Sequence, residues 1–278
     1  MWLYRTTSSV HNLISQRMRY SVPLKPVQVA ALELSPGINF GYEWDVNQTR
    51  VGLMGGIARA KTDTQTASFQ TETDSYYVGA YSNVKLGMLN LTTSLLGGYS
   101  DSDNDRVVID NINGYQVARS DVSSTFISPS VTLGAAYKAA DRVELRPSVS
   151  VNYSMAWMDD YKETGTTSSN LTVDDRTVAV LTARAQLAAA LQLNDATEFE
   201  FRAGVSTRNS NSDDVDASIG GKAFSYTNAG DENIAGRFAG VNLRIAAQDN
   251  LNLVVDMEFG GDSDENYVNG QMGLDYVF

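Results

Sequence analysis

The stretch that decides the fold is residues 267–278, YVNGQMGLDYVF. From Val268 onwards, every second residue is apolar, aromatic or glycine, whereas Asn269, Gln271 and Asp275 stand between them. A period of two over this length predicts a β-strand with one apolar and one polar face. Because a strand leaves backbone donors and acceptors unpaired at its edges, we expect it to pair with others in a sheet.

The same alternation recurs along the chain, and residues 143–157 show it over the greatest length. One face of this stretch carries eight apolar side chains in succession. At about 3.3 Å per residue it is longer than most globular strands, but it suits a tilted strand that crosses the hydrocarbon layer of a membrane. The pattern predicts twelve strands, at residues 27–34, 38–44, 51–57, 76–84, 89–99, 127–137, 143–157, 179–193, 199–205, 239–247, 251–259 and 268–278.

The connections between these strands alternate between short turns and long polar loops. The short ones are 45–49, 85–88, 138–142, 194–197 and 248–250, and the long ones are 61–73, 101–122, 159–176 and 207–232. Outer-membrane barrels have this alternation, with the short turns at the periplasmic end. We therefore predict an all-β fold, a twelve-stranded antiparallel transmembrane β-barrel.

Aromatic residues lie near both ends of the predicted strands, where a bilayer has its two interfaces. A soluble sandwich needs no such belts, so we expect outer-membrane lipid around the barrel. The belt residues are Tyr42, Trp44 and Tyr137 at the turn end and Tyr153 and Trp157 at the loop end.

The first 26 residues differ from the rest in charge. They contain four basic residues and no acidic one, although the whole chain carries a net charge of −12. Apolar residues at helical spacing predict an amphipathic α-helix over residues 6–19. We expect residues 1–26 to be a basic helix and linker in or under the lumen of a barrel formed by residues 27–278, with Arg17 and Arg19 meeting lumen carboxylates. The first twenty residues lack the apolar run of a signal peptide, so we expect a signal and further chain upstream.

Charged residues recur on the polar faces of neighbouring strands in the second half of the chain. Opposite charges at this spacing pair in ladders across a sheet. The favoured interpretation is a lumen stabilised by ion pairs and water, and the alternative is a binding surface for the N-terminal helix or a translocating chain. The ladder residues are Arg184, Glu198, Glu200, Arg202, Arg244, Asp256 and Glu258.

The sequence shows no pattern of a catalytic or metal site. There is no cysteine, and His11, the single histidine, has no acidic residue within ten positions, so it lacks the partners that catalysis or metal binding needs. The acidic runs 101–105 and 213–216 lack the spacing of a dedicated calcium site and are interpreted as solvated loops. We expect no enzyme activity, no metal, no cofactor and no nucleic-acid partner.

Four segments carry a resemblance to a known family: FGYEW at 40–44, GGYSDSD at 97–103, LGAAYKAADRVELRPSVSVNYS at 133–154 and GLDYVF at 273–278. In order and spacing they resemble the C-terminal β-domain of autotransporters, the translocator unit of type V secretion. The resemblance implies a twelve-stranded barrel in the outer membrane of a Gram-negative bacterium, with a helix through its lumen that joins an upstream passenger to the first strand. It also implies that the barrel assembly machinery reads the terminal strand, here at Leu274, Tyr276 and Phe278. We expect a monomer.

The leading hypothesis is a non-catalytic translocator barrel that assists export of an N-terminal passenger, not present in this chain, and anchors it. The alternative is a passive porin-like or adhesin-like barrel, and a less favoured one is an outer-membrane hydrolase such as an omptin-like protease. A hydrolase needs a histidine beside an acid or a serine on the strand ends, and His11 lies outside the predicted strands. The architecture depends on Val149, Leu187 and Leu253 pointing outwards rather than meeting in a dry centre.

Overall fold

The computed structural model describes residues 9–10, 13–21, 31–47, 49–64, 69–110, 112–226, 233–248, 251–262 and 266–277. Within these ranges every extended regular element is a β-strand, and no helix long and apolar enough to cross a membrane is found there. The strands, in chain order, are β1 (Ser9–Val10), β2 (Leu13–Ser21), β3 (Ala31–Val46), β4 (Thr49–Thr64), β5 (Phe69–Leu86), β6 (Leu89–Asp110), β7 (Gly114–Ala135), β8 (Tyr137–Ala140), β9 (Val143–Met158), β10 (Tyr161–Lys162), β11 (Leu171–Val173), β12 (Arg176–Asn194), β13 (Thr197–Ser212), β14 (Val215–Ile219), β15 (Lys222–Tyr226), β16 (Asn233–Gln248), β17 (Leu251–Gly261) and β18 (Asn266–Val277).

The long strands form one curled antiparallel sheet. Its order is β18-β17-β16-β13-β12-β9-β7-β6-β5-β4-β3-β2, and β8 pairs with β9 beside this path. The two ends of the sheet meet, since residues 267–270 of β18 pair with residues 18–21 of β2. Pairing at this seam uses backbone groups that an open edge would leave unsatisfied, which matters most in lipid, where no water can replace them.

Apolar side chains lie on the outer face of the sheet. Val149 is 54% exposed and Leu187 is 53% exposed, so the prediction that they point outwards is confirmed. Leu253, the third residue of that prediction, is half-buried and is in register with Leu274, which is 46% exposed. The alternate positions face the lumen, where the side chain of Arg202 is only 13% exposed. This arrangement is the inverse of a soluble sandwich and is typical of a barrel in lipid.

The N-terminal segment differs from the prediction. Residues 6–19 were predicted to be a helix, but Leu13–Ser21 form strand β2; residues 6–8, 11 and 12 lie outside the described ranges. The sequence LISQRMRYS also alternates, with polar residues at 15, 17 and 19, so it fits a strand as well as a helix. The strand is favoured because it pairs with the edges of both β3 and β18.

The two strands predicted at 27–34 and 38–44 are one strand, β3. Its ladder with β4 pauses at Ser35 and Pro36 and resumes in the same register at Gly37. Proline has no N–H to donate, so it interrupts the ladder locally. The pairs on either side hold the strand together through that interruption.

All four predicted long loops contain strand residues. In the loop predicted at 61–73, β4 continues to Thr64 and β5 begins at Phe69, and the two strands pair there. Residues 101–122 continue β6 and β7 as a long hairpin. The connections 159–176 and 207–232 contain a second sheet, with the order β10-β11-β14-β15. Two backbone hydrogen bonds between Arg119 and Thr164, of 2.8 and 2.9 Å, join this small sheet to the edge of β7. The barrel wall therefore carries a small four-stranded sheet at its loop end.

Candidate functional site

Arg202 is the centre of a charge cluster on the lumen side of β12, β13, β16 and β17. Its guanidinium donates to both carboxylate oxygens of Asp256, at 2.5 and 2.8 Å, and to Glu258 Oε2 at 3.3 Å. Arg184 Nη2 donates to the same Glu258 oxygen at 2.7 Å. Strand register places Gly240 between Arg202 and Glu258, and a Cβ there would lie 2.9 Å from Arg202 Cζ. The bare glycine thus lets the guanidinium lie across β16.

Neutral groups complete this central cluster. Asn242 donates to Asp256 Oδ2 at 3.1 Å, and the Tyr267 hydroxyl donates to Glu258 Oε1 at 3.1 Å. The guanidinium of Arg184 stacks 3.9 Å above the ring centroid of Phe238, where a cation is attracted by the ring face. Glu258 is 7% exposed, and burial of a carboxylate is costly unless it is paired and hydrogen-bonded, as it is here.

A second cluster lies closer to the short turns and is centred on Arg146 of β9. Its guanidinium contacts Glu144 at 2.6 Å, Glu198 at 2.9 and 3.1 Å, and Glu200 at 2.9 Å. To reach β13 it crosses β12 above Ala188, its register neighbour, which is 2% exposed. Ala188 on the intervening strand therefore leaves room for the guanidinium of Arg146, as Gly240 does for that of Arg202.

Glu198 and Glu200 were predicted as ladder residues, whereas Arg146 and Glu144 were not. The signal was present, because the alternation of residues 143–157 places position 146 on the polar face. The contact between β9 and β13 across β12 depends on the small size of Ala188, which strand alternation does not predict. Of the predicted ladder residues, Arg244 is the register partner of Glu198, and the others contact one another or Arg146.

Hydroxyl and amide groups line a neighbouring part of the lumen, formed by β6, β7 and the loop-end half of β9. Ser94 and Ser130 are 2.6 Å apart, Ser128 and Ser154 are 2.8 Å apart, and Asn152 donates to Ser128 at 2.9 Å. These residues belong to β6, β7 and β9. We call this part of the lumen the hydroxyl side and the part formed by β12, β13, β16 and β17 the ionic side. Further ion pairs lie near the turn between β3 and β4, where Arg50 contacts Asp45 at 3.0 Å and Glu43 at 3.7 Å.

The other predicted residues lie at separate places. The belt residues Tyr42, Trp44, Tyr137, Tyr153 and Trp157 are 37–61% exposed on the outer face. Leu274 is 46% exposed on β18; Tyr276 is in the same strand, and Phe278 and His11 lie outside the described residues. Arg17 and Arg19 are in β2, where Arg19 is in register with Asn269.

At the outer mouth, the loop between β9 and β12 folds against the lumen side of the β6–β7 hairpin. Arg106 of β6 donates to Glu163 Oε1 and Oε2 at 2.8 and 2.5 Å and to the carbonyl of Ser169 at 2.9 Å. Glu163, 5% exposed, also accepts from the backbone N–H of Leu171 at 2.8 Å. By accepting these hydrogen bonds the carboxylate raises the pKa of Arg106.

Local sequence patterns do not predict this contact, because it joins a strand to a connecting segment 57 positions away. Among these connections, only the hairpin of β14 and β15 has a local sequence signal, two glycines at 220 and 221 between short alternating runs. Within the described ranges, no group of three or more His, Cys, Asp or Glu side chains is placed to hold a metal ion.

Comparisons with known proteins agree with this architecture. The translocator domain of the autotransporter NalP from Neisseria meningitidis superposes with a TM-score of 0.78 at 15% identity, covering 99% of this chain and 90% of that one. The β-domain of the Bordetella autotransporter BrkA superposes with a TM-score of 0.67 at 13% identity, covering 99% and 100%. Both likenesses concern the fold.

Sequence comparison adds the family. "Outer membrane protein A" of Rickettsia conorii is 29% identical over 153 residues, a match that covers 48% of this chain and 8% of that protein. The chain thus spans a small part of the length of the curated relative it matches. The family model of the autotransporter beta-domain matches residues 35–258. The chain therefore belongs to the autotransporter beta-domain family, and its location is the outer membrane of a Gram-negative bacterium.

Proposed function

We propose that this domain is the translocator of an autotransporter: it assists the export of a passenger encoded upstream and then anchors it. The observation that carries the proposal is a polar lumen wall in which the buried carboxylates of Asp256 and Glu258 are paired with arginines. A passing chain meets groups that hydrogen-bond to water, while the carboxylates of Asp256 and Glu258 are already held by arginines. Such a wall is wettable, but it offers few free charges to retain the passenger.

The direction of β2 supports a route through the lumen. β18 ends and β2 begins at the turn end of the barrel, since residues 267–270 run antiparallel to residues 18–21. Chain that precedes β2 therefore starts from the periplasmic end and has to cross the lumen to join a passenger outside. We propose that the barrel closes with twelve wall strands, β2 being the first, and that the chain upstream of β1 makes this crossing.

Export is tested with a reporter protein fused upstream of Met1, behind a signal peptide. Translocation places the reporter on the cell surface, where added protease removes it while the barrel stays in the membrane. A passive porin-like barrel would leave the reporter protected in the periplasm, and that result would overturn the proposal.

We further propose that Leu274, Tyr276 and Phe278 are read by the barrel assembly machinery. Deletion of Phe278 should then lower the amount of heat-modifiable barrel without changing its synthesis.

The closure is tested at the seam. The native chain has no cysteine, so the pair Arg19→Cys and Asn269→Cys can be introduced without competing thiols. Opposite residues of antiparallel strands have Cβ atoms about 4.5–5.5 Å apart, and oxidation should therefore join them within the folded band. A control pair, Arg17→Cys and Asn269→Cys, is out of register and should cross-link less. Equal yields from both pairs would contradict β2 as the first wall strand.

A further inference from the structure

The β6–β7 hairpin rises above its neighbour β9. β7 pairs with β9 only as far as Ser124 and Met158, whereas its pairing with β6 continues to Asp110 and Gly114. On the β9 side, the upper edge of β7 is bridged to Thr164 at Arg119. The loop between β9 and β12 thus takes the place that a neighbouring wall strand occupies lower down.

This loop covers the lumen side of the hairpin. Along β7, exposed and covered side chains alternate, and the even-numbered positions face the lumen. At the upper end these positions are fully covered: Ala118, Ser120 and Val122 are 1%, 6% and 4% exposed. Gln116, on the same face, exchanges hydrogen bonds of 2.9 and 3.2 Å with Thr167.

Two features hold residues 161–173 against the hairpin. The first is the pair of Arg106 and Glu163, which meet above Ala118, the register partner of Arg106. The second is Gly165, which has a φ of +96° and whose Cβ, if present, would lie 2.5 Å from the carbonyl oxygen of Val117. Only glycine fits this approach and this backbone conformation.

We propose that residues 161–173 form a lid that narrows the outer mouth of the lumen, with Arg106 and Glu163 as its latch and Gly165 as its closest point of contact. Thr166 and Asn170 hold the turn of the lid by three mutual hydrogen bonds of 2.8–3.1 Å, so it moves as a unit. Opening needs the latch, the Gln116 contact and the Arg119 bridge to separate, and β11 then either leaves β14 or carries β14 and β15 with it. The inference concerns the mouth of the barrel and holds whether or not the barrel exports a passenger.

The test measures access to the lumen from outside. Ser154, on the lumen face of β9 below the lid, is replaced by cysteine as the only thiol. Intact cells that display the full chain are treated with a maleimide carried on a bulky polyethylene glycol. Arg106→Gln breaks the latch, and Gly165→Ala lifts the lid without changing charge; both should speed labelling several-fold.

Two matched controls separate the lid from general loosening. Arg59→Gln breaks an arginine–carboxylate pair of similar geometry, Arg59 with Asp74 at 2.6 Å on the outer face. Gly221→Ala strains another glycine of positive φ that has no neighbour within 4 Å of a Cβ. Neither should change the labelling rate. If folded, heat-modifiable barrels of Arg106→Gln and Gly165→Ala label no faster than the parent, the lid is overturned.

Discussion

The pair of Arg202 and Asp256 in the lumen and the pair of Arg59 and Asp74 on the outer rim share one chemistry in two surroundings. Both are bidentate, at 2.5 and 2.8 Å inside and at 2.6 Å for both bonds outside. The side chain of Arg202 is 13% exposed, whereas that of Arg59 is 64% exposed. Contact distance alone would rank the two pairs as equals. Exposure to water separates them, because it decides what is lost when one partner is removed.

The largest effect is expected from Arg202→Met. It leaves Asp256 and Glu258 in the lumen without their shared cation, and removal of one partner from a buried ion pair costs about 3–5 kcal/mol. Urea unfolding in lipid vesicles measures the loss of free energy of unfolding. Arg59→Gln is the matched control on the rim, where the loss should be close to the error of the experiment. Equal losses of free energy of unfolding in the two variants would show that burial does not distinguish the lumen pair from the rim pair.

A second variant removes space rather than charge. At Gly240 a side chain would meet Arg202 Nε at 3.0 Å and the carbonyl oxygen of Met257 at 2.8 Å. Gly240→Val should therefore displace the guanidinium from Asp256 and cost about 1–3 kcal/mol, as overpacking does. Gly270→Val is the control, because among the described side chains a Cβ there has no neighbour within 4 Å. The same unfolding experiment should show little change for that control.

The alternation of side chains predicted most of the wall, because strand periodicity is a local property of sequence. It also predicted which side of the sheet faces lipid, as Val149 and Leu187 show. The position of β2 could not be predicted, since residues 13–21 satisfy the helical and the strand period alike. Its strand conformation is decided by the edges of β3 and β18, which are distant in sequence.

Most charged residues of the ionic side of the lumen were predicted, but the pairs that they form were not. Glu198 and Glu200 were named, yet their common partner Arg146 lies two strands away and reaches them over Ala188. The latch of Arg106 and Glu163 was missed for a related reason. It joins a hairpin to a loop that sequence patterns describe only as polar, and its formation depends on where Gly165 and Ala118 leave room.

Substitutions on the hydroxyl side of the lumen should lower the free energy of unfolding less than substitutions on the ionic side. Ser94→Ala removes one partner of a 2.6 Å hydrogen bond and leaves Ser130 in contact with lumen water. A neutral hydrogen bond contributes about 0.5–1.5 kcal/mol, so the loss should be near 1 kcal/mol or below. The double variant with Ser130→Ala should lose no more than the single one. A loss as large as that of Arg202→Met would remove the distinction between the two sides.

The smallest effects are expected on the outer rim, and they should depend on pH in opposite directions. Hydrogen bonds from Arg59 lower the pKa of Asp74, so Asp74 contributes stability above the unfolded pKa of about 3.9, and this is lost as pH falls through its folded pKa. Asp103 is also outside the membrane-spanning segments; partial desolvation and the neighbouring Asp121 raise its pKa. Its ionised form therefore destabilises the fold above the raised pKa, and this penalty fades as pH falls towards about 3.9.

At pH 7, Asp103→Asn should consequently raise the free energy of unfolding slightly, and Asp74→Asn should lower it slightly. Both differences from the parent should vanish in acid. The difference for Asp103→Asn should vanish at the higher pH, because the folded pKa of Asp103 lies above its unfolded value. Added salt should shrink both at neutral pH, since exposed charges are screened, whereas the loss in Arg202→Met should persist. If salt removed the Arg202 effect as well, the lumen would be no better shielded from solvent ions than the rim, and burial would not be what separates the two arginines.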